Sequence, residues 1–563
     1  MKRFTLFALL LALLLTTFVL LSRPGPLFSQ AAANLTWEPL LPDLPSRIWR
    51  SPTYASDHAL YVTTNRDLRR SVDEGESWTI LYPQAPLTET VGISGLAVAP
   101  AGESAATLLL ARNQPGGPAE IYRRQDGALT WSTVFSTTAG PIYDLAAARD
   151  PAGQLVVLAV GGPHVWRSPD GGDTWTPAES GLPDWADLYR VYPSPDFAAD
   201  GTVYLTGFGS LIRSGDGGQS WNVVSIPDVD VARQVVFSPQ YAADQTLWVS
   251  YFFIEGSGNS DPNGVVRSTD GGQTWQIINE GLPVDYLDGW IMGLAVSPDY
   301  PADASLYAIE RTLVYTGTTW ALYRAPAGQD TWIKQGTAPD ATPNGLLAAA
   351  PDLFFLPTQS GLWRLRSHGW EWLVNGDAER NVGWEMPITP ATAAYTTEQA
   401  HGGVRAIRMG IVNAPNQYAY SSARQRVTVP AGVSPITLNF WLYPVSTAGQ
   451  MASPAQAGVP AAGDAQYVLI LDEHLNILET LLWTLSNAAT WQPYSFDLSA
   501  YAGRTIWLHF GVYNDGAGGV TGLYLDDASL LGSEPPPTPT TALYLPIIQA
   551  GTDPAGGLLL DSQ

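Results

Sequence analysis

The chain has no cysteine in 563 residues. That excludes disulfides, thiolate metal sites, a cysteine nucleophile and a lipidated N-terminal cysteine together. Basic residues are scarce: 28 Lys plus Arg stand against 52 Asp plus Glu, a formal charge of −24. A surface of that sign repels phosphate backbones, which excludes nucleic acid as a partner. The six His, at positions 58, 164, 368, 401, 474 and 509, form no His-x-x-x-His or His-x-His pair and give no zinc signal. Neither a Gly-x-Ser-x-Gly elbow nor a phosphate loop occurs. Long helices are excluded by 54 Gly and 45 Pro, while 21 Trp and 25 Tyr supply material for apolar cores. The expected class is all-β, and the length calls for two folded bodies plus tails.

The N-terminus carries Lys2 and Arg3, then an uncharged run from Phe4 to Leu21, then Pro24, Gly25, Pro26 and the small residues Ala31 to Ala33. This pattern reads as an export signal over residues 1–33, cleaved as a signal peptide or kept as an anchor. An extracellular or cell-surface location is expected, with the membrane touched only through that segment.

Beyond residue 33 the chain is organised by a repeat. "RSTDGGQTW" (Arg267 to Trp275) aligns with "RSPDGGDTW" from Arg167, "RSGDGGQSW" from Arg213 and the looser "RSVDEGESW" from Arg70. A second signature precedes it, as in "SPTYASDHALYV" from Ser51, "SPDFAADGTVYL" from Ser194 and "SPQYAADQTLWV" from Ser238. The equivalent prolines are Pro52, Pro100, Pro151, Pro195, Pro239, Pro298 and Pro351. Seven units at the spacing of four-stranded blades predict a seven-bladed β-propeller over residues 34–373. "LTWEPLLPDLPSRIWRSP" from Leu35 matches "DTWTPAESGLPDWADLYRVYPSP" from Asp173. Either the Trp37 segment or "SHGWEWL" completes the last blade, and the amino-terminal one latches the ring across the seam.

These motifs resemble the Asp-box, or BNR, repeat of sialidases, sortilin-type receptors, xyloglucanase-like hydrolases and photosystem assembly-factor propellers. The resemblance implies that each box is the hairpin turn between a blade's third and fourth strands. Asp73, Asp170, Asp216 and Asp270 then accept hydrogen bonds from turn N–H groups, and Trp78, Trp175, Trp221 and Trp275 pack between sheets. One carboxylate per turn is too few for a calcium loop. The box and the Ser-Pro signature fall on one face of the disc, so function is expected on the other, among irregular loops.

There, carboxylates mix with aromatics: Asp184, Trp185 and Asp187; Asp285, Tyr286, Asp288 and Trp290; Phe252, Phe253 and Glu255. Flat rings beside hydrogen-bonding acids suit a sugar or a cation. Arg47 and Arg190 occupy matching channel-facing positions. No third Arg does: that position holds Gly95, Ala146, Gln234, Gly293 and Leu346 elsewhere, and Arg233 is one residue out of register. The "RIP" motif of sialidases is missing as well. A glycosidase of another type needs two carboxylates, for which Asp187, Asp228, Asp230, Asp285, Asp288 and Glu310 are available.

From Asn375 the grammar changes to alternating strands such as "ITLNFWLYP" and "QYVLILDE". The opening "NGDAE" and the closing "YLDDASL" resemble jelly-roll carbohydrate-binding modules and MAM-like domains, over residues 374–532. The resemblance implies a β-sandwich with one structural calcium on Glu379 and Asp527, helped by Asp377 or Asp526. The alternative is that these acids only cap strands and turns. Residues 533–563 read as a Pro/Thr-rich spacer and a disordered tail, whose seven-residue apolar "ALYLPII" is too short to span a membrane. The functional expectation is an exported, non-catalytic binding protein for extracellular glycan or a surface protein. A glycoside hydrolase acting through a loop-face carboxylate pair and a membrane-side assembly factor are the alternatives.

Overall fold

A computed structural model describes residues 35–532 apart from 65, 83–92, 100–106, 126–127, 129, 210, 228, 253–262, 285–288, 299–304, 315–316, 327–329, 351, 368, 430–433 and 453–462. The described chain is all-β. Seven four-stranded antiparallel sheets come first. The first of them contains Pro45–Arg50, Leu60–Thr64, Leu68–Ser71 and Thr79–Tyr82. Each sheet lies against the next through its inner strands, and the seventh lies against the first. The result is a closed β-propeller.

Stacked blades bury both faces of their inner strands, which is why "LVVLAVG" (Leu155–Gly161) and "LFFLPT" (Leu353–Thr358) are continuous apolar runs rather than alternating ones. The fourth strands sit at the rim, so Asn222–Val224 is largely exposed. Trp37–Leu41 pairs with Gly361–Arg366 and supplies the last blade's fourth strand. Ring closure therefore uses the amino-terminal segment. The rival segment goes elsewhere: Trp370 and Glu371 pair with Gly532 and Leu531 in the second body.

Both sequence signatures are local hydrogen-bonding devices. In the Ser-Pro signature a single helical turn buries Tyr54, Phe197 or Tyr241 and ends in a left-handed residue at His58, Gly201 or Gln245. The leading Ser donates to the Asp that closes the turn, at 2.6 Å for Ser51 to Asp57 and 2.8 Å for Ser194 to Asp200. In the box, Asp270 Oδ1 accepts the N–H groups of Gln273 and Thr274 and the Ser268 hydroxyl, while Oδ2 accepts the Thr274 hydroxyl. Asp73, Asp170 and Asp216 repeat the arrangement. Gly217 and Gly271 N–H then donate to the carbonyls of Gly201 and Gln245, at 2.9 and 3.0 Å. Box and helical turn thus share one face.

The boxes also join blades. Trp175 lies 5.0 Å from Phe135 of the preceding blade, and Trp221 Nε1 donates to Ala178 there. Trp275 packs with Tyr204, and Trp78 with Phe355 across the seam. In the opposite sense, a third-strand arginine reaches the next blade's box turn: Arg123 to the Gly171 carbonyl, Arg167 to that of Gly217, Arg364 to that of Glu74.

The second body is a β-sandwich. One sheet holds Ala394–Thr396, Ala406–Gly410, Thr521–Gly532, Ile436–Ser446 and Gln492–Asp497, with Trp370–Glu371 also on the Thr521–Gly532 strand. The other holds Tyr418–Thr428, Thr505–Asp515, Ala465–Leu471 and Ile477–Thr484. Its core is continuous with the propeller's: Trp370 and Trp372 pack with Tyr307 and Phe354, and the Arg324 guanidinium stacks on both indoles at 5.0 and 4.6 Å.

Candidate functional site

The mouth opposite the boxes is shaped by a recurring defect. Five first strands carry an extra residue at the same level, between Pro45 and Arg47, Ile93 and Gly95, Leu188 and Arg190, Ala232 and Gln234, and Ile291 and Gly293. Such a bulge re-aims the side chains beside it. The bulged residues Tyr189, Arg233 and Met292 line one cavity together with Arg47, Arg190 and Gln234. Its volume is about 440 Å³, within the ~300–1,000 Å³ of small-molecule sites.

The register expected from the sequence holds, with Gln234 at the position that matches Arg47 and Arg190. Arg233, one residue out of step along the sequence, shares the cavity with Arg47 and Arg190 because the bulge supplies that residue. Three arginines therefore converge. Arg47 pairs with Asp144 at 2.5 Å, and Asp144 also accepts the Val191 N–H. Burial, followed by the charge of Arg47, lowers the Arg190 pKa, and burial lowers that of Arg233. No Asp or Glu lines this cavity among the described residues.

Aromatic rings surround the opening. Trp185, Tyr189 and Phe208 are 50%, 38% and 55% exposed. Trp185 lies over Gly209, where a Cβ would stand 2.6 Å from the ring. Tyr189 stacks on Tyr143 and donates its hydroxyl to Asp187 at 2.8 Å. Phe252 stacks on Trp290, which also carries the Arg311 guanidinium at 5.1 Å. Asp184 is exposed beside Trp185. Asp285, Tyr286 and Asp288, with Phe253, Glu255 and Asp228, lie outside the described residues. Glu310 sits apart from this mouth, buried in the sixth blade. Both its oxygens meet the Thr312 hydroxyl, and burial raises its pKa to about 8.

In the sandwich, the expected cation residues surround the loop at 401–405. Asp526 accepts N–H groups of His401, Gly402 and Asp527. Glu379 accepts those of Val404 and Arg405. Asp527 bonds the His401 ring at 2.6 Å. A Cβ on Gly402 would stand 2.7 Å from Asp527, and one on Gly403 2.1 Å from Glu379, so the two glycines let both carboxylates close on one turn. Asp377 joins Glu379 and Asp527 around a neighbouring cavity. Two hard carboxylates there suit calcium, with the remaining ligands to come from elsewhere. Among the described residues no three His, Asp or Glu side chains form a metal cluster. Nearby, His401 lies flat on Trp441 with centroids 3.9 Å apart, and Trp491 stands edge-on to it.

No family model matches the chain, and no curated protein does. Solved structures do. A structure titled "YCF48 bound to D1 peptide" is 14% identical over 60% of this chain and 97% of its own, with a TM-score of 0.43. An ancestral GH74 enzyme is 14% identical over 69% and 61%, at 0.43. The extracellular domain of a one-component system from B. thetaiotaomicron is 10% identical over 69% and 46%, at 0.42. These are likenesses of the propeller fold alone.

Proposed function

We propose that this is an exported, non-catalytic binding protein whose ligand, an extracellular glycan or a surface protein, seats on the loop-bearing mouth of the propeller. One observation carries the reading: two exposed aromatic side chains, Tyr189 and Phe208, line a cavity floored by arginines, and exposed Trp185 lies over Gly209 next to Phe208. Soluble proteins seldom leave such rings uncovered around a concavity unless a ligand covers them. The sandwich adds its stacked His401 and Trp441 as a second aromatic surface, and a calcium ion on Glu379 and Asp527 belongs to this reading as a structural clip.

Glycan-array binding by the full chain tests the proposal, with Trp185→Ala and Phe208→Ala variants alongside. Binding that both substitutions weaken supports it; binding that neither touches removes the propeller mouth from the account. The hydrolase alternative rests on Asp187, which Tyr189 engages, on Asp230 in the bend before Val231–Phe237, and on residues outside the described set. Release of reducing sugar from a bound glycan would promote that alternative. Capture of membrane-protein peptides and no glycan would favour the assembly-factor reading.

A further inference from the structure

Resting on the reading of this mouth as a binding site, we infer that its ligand is an acidic glycan, and that Arg190 and Arg233 hold a uronate carboxylate of it.

Some arginines elsewhere are paired with acids: Arg69 with Asp43 and Asp67, Arg123 with Asp173, Arg267 with Asp330, Arg364 with Glu38 and Glu76. Within the mouth, Arg47 has Asp144. Arg190 and Arg233 have no carboxylate partner among the described residues; the one side-chain hydrogen bond of Arg190 goes to the Tyr189 carbonyl. In a chain with 52 acids to 28 bases, acids are the commonest partner to hand. Two half-buried guanidinium groups on one cavity whose described lining holds no acid make a place for an anion from outside.

Shape narrows the anion. A guanidinium presents a planar fork of N–H donors that matches the two oxygens of a carboxylate. The Arg47–Asp144 pair has its own charge satisfied and lies at the level of these arginines. Beyond them the cavity reaches the ring of Phe208, and exposed Trp185 lies over the adjoining Gly209. Those flat faces suit the C–H face of a sugar ring. The two features together fit a sugar that is anionic at one edge and apolar on one face. The bulge at Arg233 has a direct consequence here, because a regular strand would not turn Tyr189 and Arg190, or Arg233 and Gln234, toward one cavity.

Calorimetric titration of the full chain tests this with four probes: an oligogalacturonate, its methyl ester, a sulfated oligosaccharide and a peptide with a free C-terminal carboxylate. The oligogalacturonate is expected to bind, its ester about tenfold or more weakly, and added salt to weaken the acid. Arg190→Gln and Arg233→Gln are each expected to lower affinity for the acid about ten- to a hundredfold and to leave the ester within about twofold. Neither substitution should lower the melting temperature, since each removes a half-buried charge with no carboxylate partner among the described residues. Equal binding of acid and ester, or unchanged acid affinity in both variants, overturns the inference. Preference for the sulfated probe or the peptide overturns the uronate class. Ester binding that Trp185→Ala abolishes, without dependence on either arginine, leaves the binding-site reading standing while this inference falls. No binding of any probe overturns this inference, and the binding-site reading is then decided by the glycan array.

Discussion

The Arg364 guanidinium, on the last blade's third strand, bonds Glu38 at 2.7 Å across 326 residues of chain. It marks the seam where the amino-terminal strand closes the ring. Glu38 is 53% exposed, so Glu38→Ala is expected to cost less than about 1 kcal/mol. Deleting residues 35–41 removes the whole strand and uncovers the edge of Gly361–Arg366. That deletion should cost more than about 3 kcal/mol and promote association through the freed edge. Urea melts and size-exclusion chromatography read both effects.

Gly272 holds φ at +87°, and a Cβ there would stand 2.1 Å from the hydroxyl of buried Tyr204, which itself bonds the Gly271 carbonyl. Gly272→Ala should therefore cost about 2–4 kcal/mol, from strain and overpacking together. Gly116 separates the two causes, with φ at +68° and nothing within 4 Å. Gly116→Ala should cost only about 1 kcal/mol. Equal losses in thermal melts would show that backbone conformation alone matters.

Hydrogen bonds from the Thr274 hydroxyl and N–H hold the Asp270 pKa down to about 2. Asp170 and Asp216 stand at about 2 as well, where burial opposes the shift and hydrogen bonds from Thr174 and Ser220 outweigh it. A folded pKa below the unfolded value means stability that is present above about pH 3.9 and lost as pH falls toward 2. The propeller should thus weaken across that window. Asp270→Asn should be less stable at neutral pH and should show a shallower acid slope in pH-resolved melts.

Glu310 has the opposite sign. Burial raises its pKa from 4.5 to about 8, so the folded state binds more protons than the unfolded one between those values. Stability then falls as pH rises from about 4.5 toward 8. Glu310→Gln keeps the contact with Thr312 and has no proton to lose. Its melting temperature should gain on wild type steadily over that range; a constant difference would contradict the assignment.

Calcium on Glu379 and Asp527 predicts that a chelator lowers the melting temperature and added calcium restores it. A site held near 100 times its Kd contributes about 2.7 kcal/mol, worth roughly 5–10 °C in a body of this size. Glu379→Gln should abolish the response. An unchanged melt in chelator would leave these acids as turn caps.

Much of the fold was legible because a propeller repeats its grammar. The Ser-Pro turns and the boxes recur since every blade needs the same two reversals on one face, and the match between Trp37 and Trp175 exposed the seam strand. The fate of Trp370 and Glu371 was not legible, because a two-residue strand carries no period. Arg233 stands one residue out of register with Arg47 and Arg190, as its place in the repeat indicates, but its share in the cavity was not legible. Counting along a strand assumes alternation, and the bulge before Gln234 brings two successive residues to one cavity. Arg123 and Arg167 stand three residues before the position of the box Asp, but their partners lie about 50 residues onward and only folding joins them.

The central claim is directional: one face of the disc is fastening and the other receives the ligand. Hydrogen–deuterium exchange of the full chain, with and without a glycan that it binds, tests this most directly. The account predicts new protection at residues 185–190, 206–208 and 231–234, around the arginine-floored mouth. Protection confined to the opposite face, at residues 51–58, 214–221 and 268–275, would contradict it.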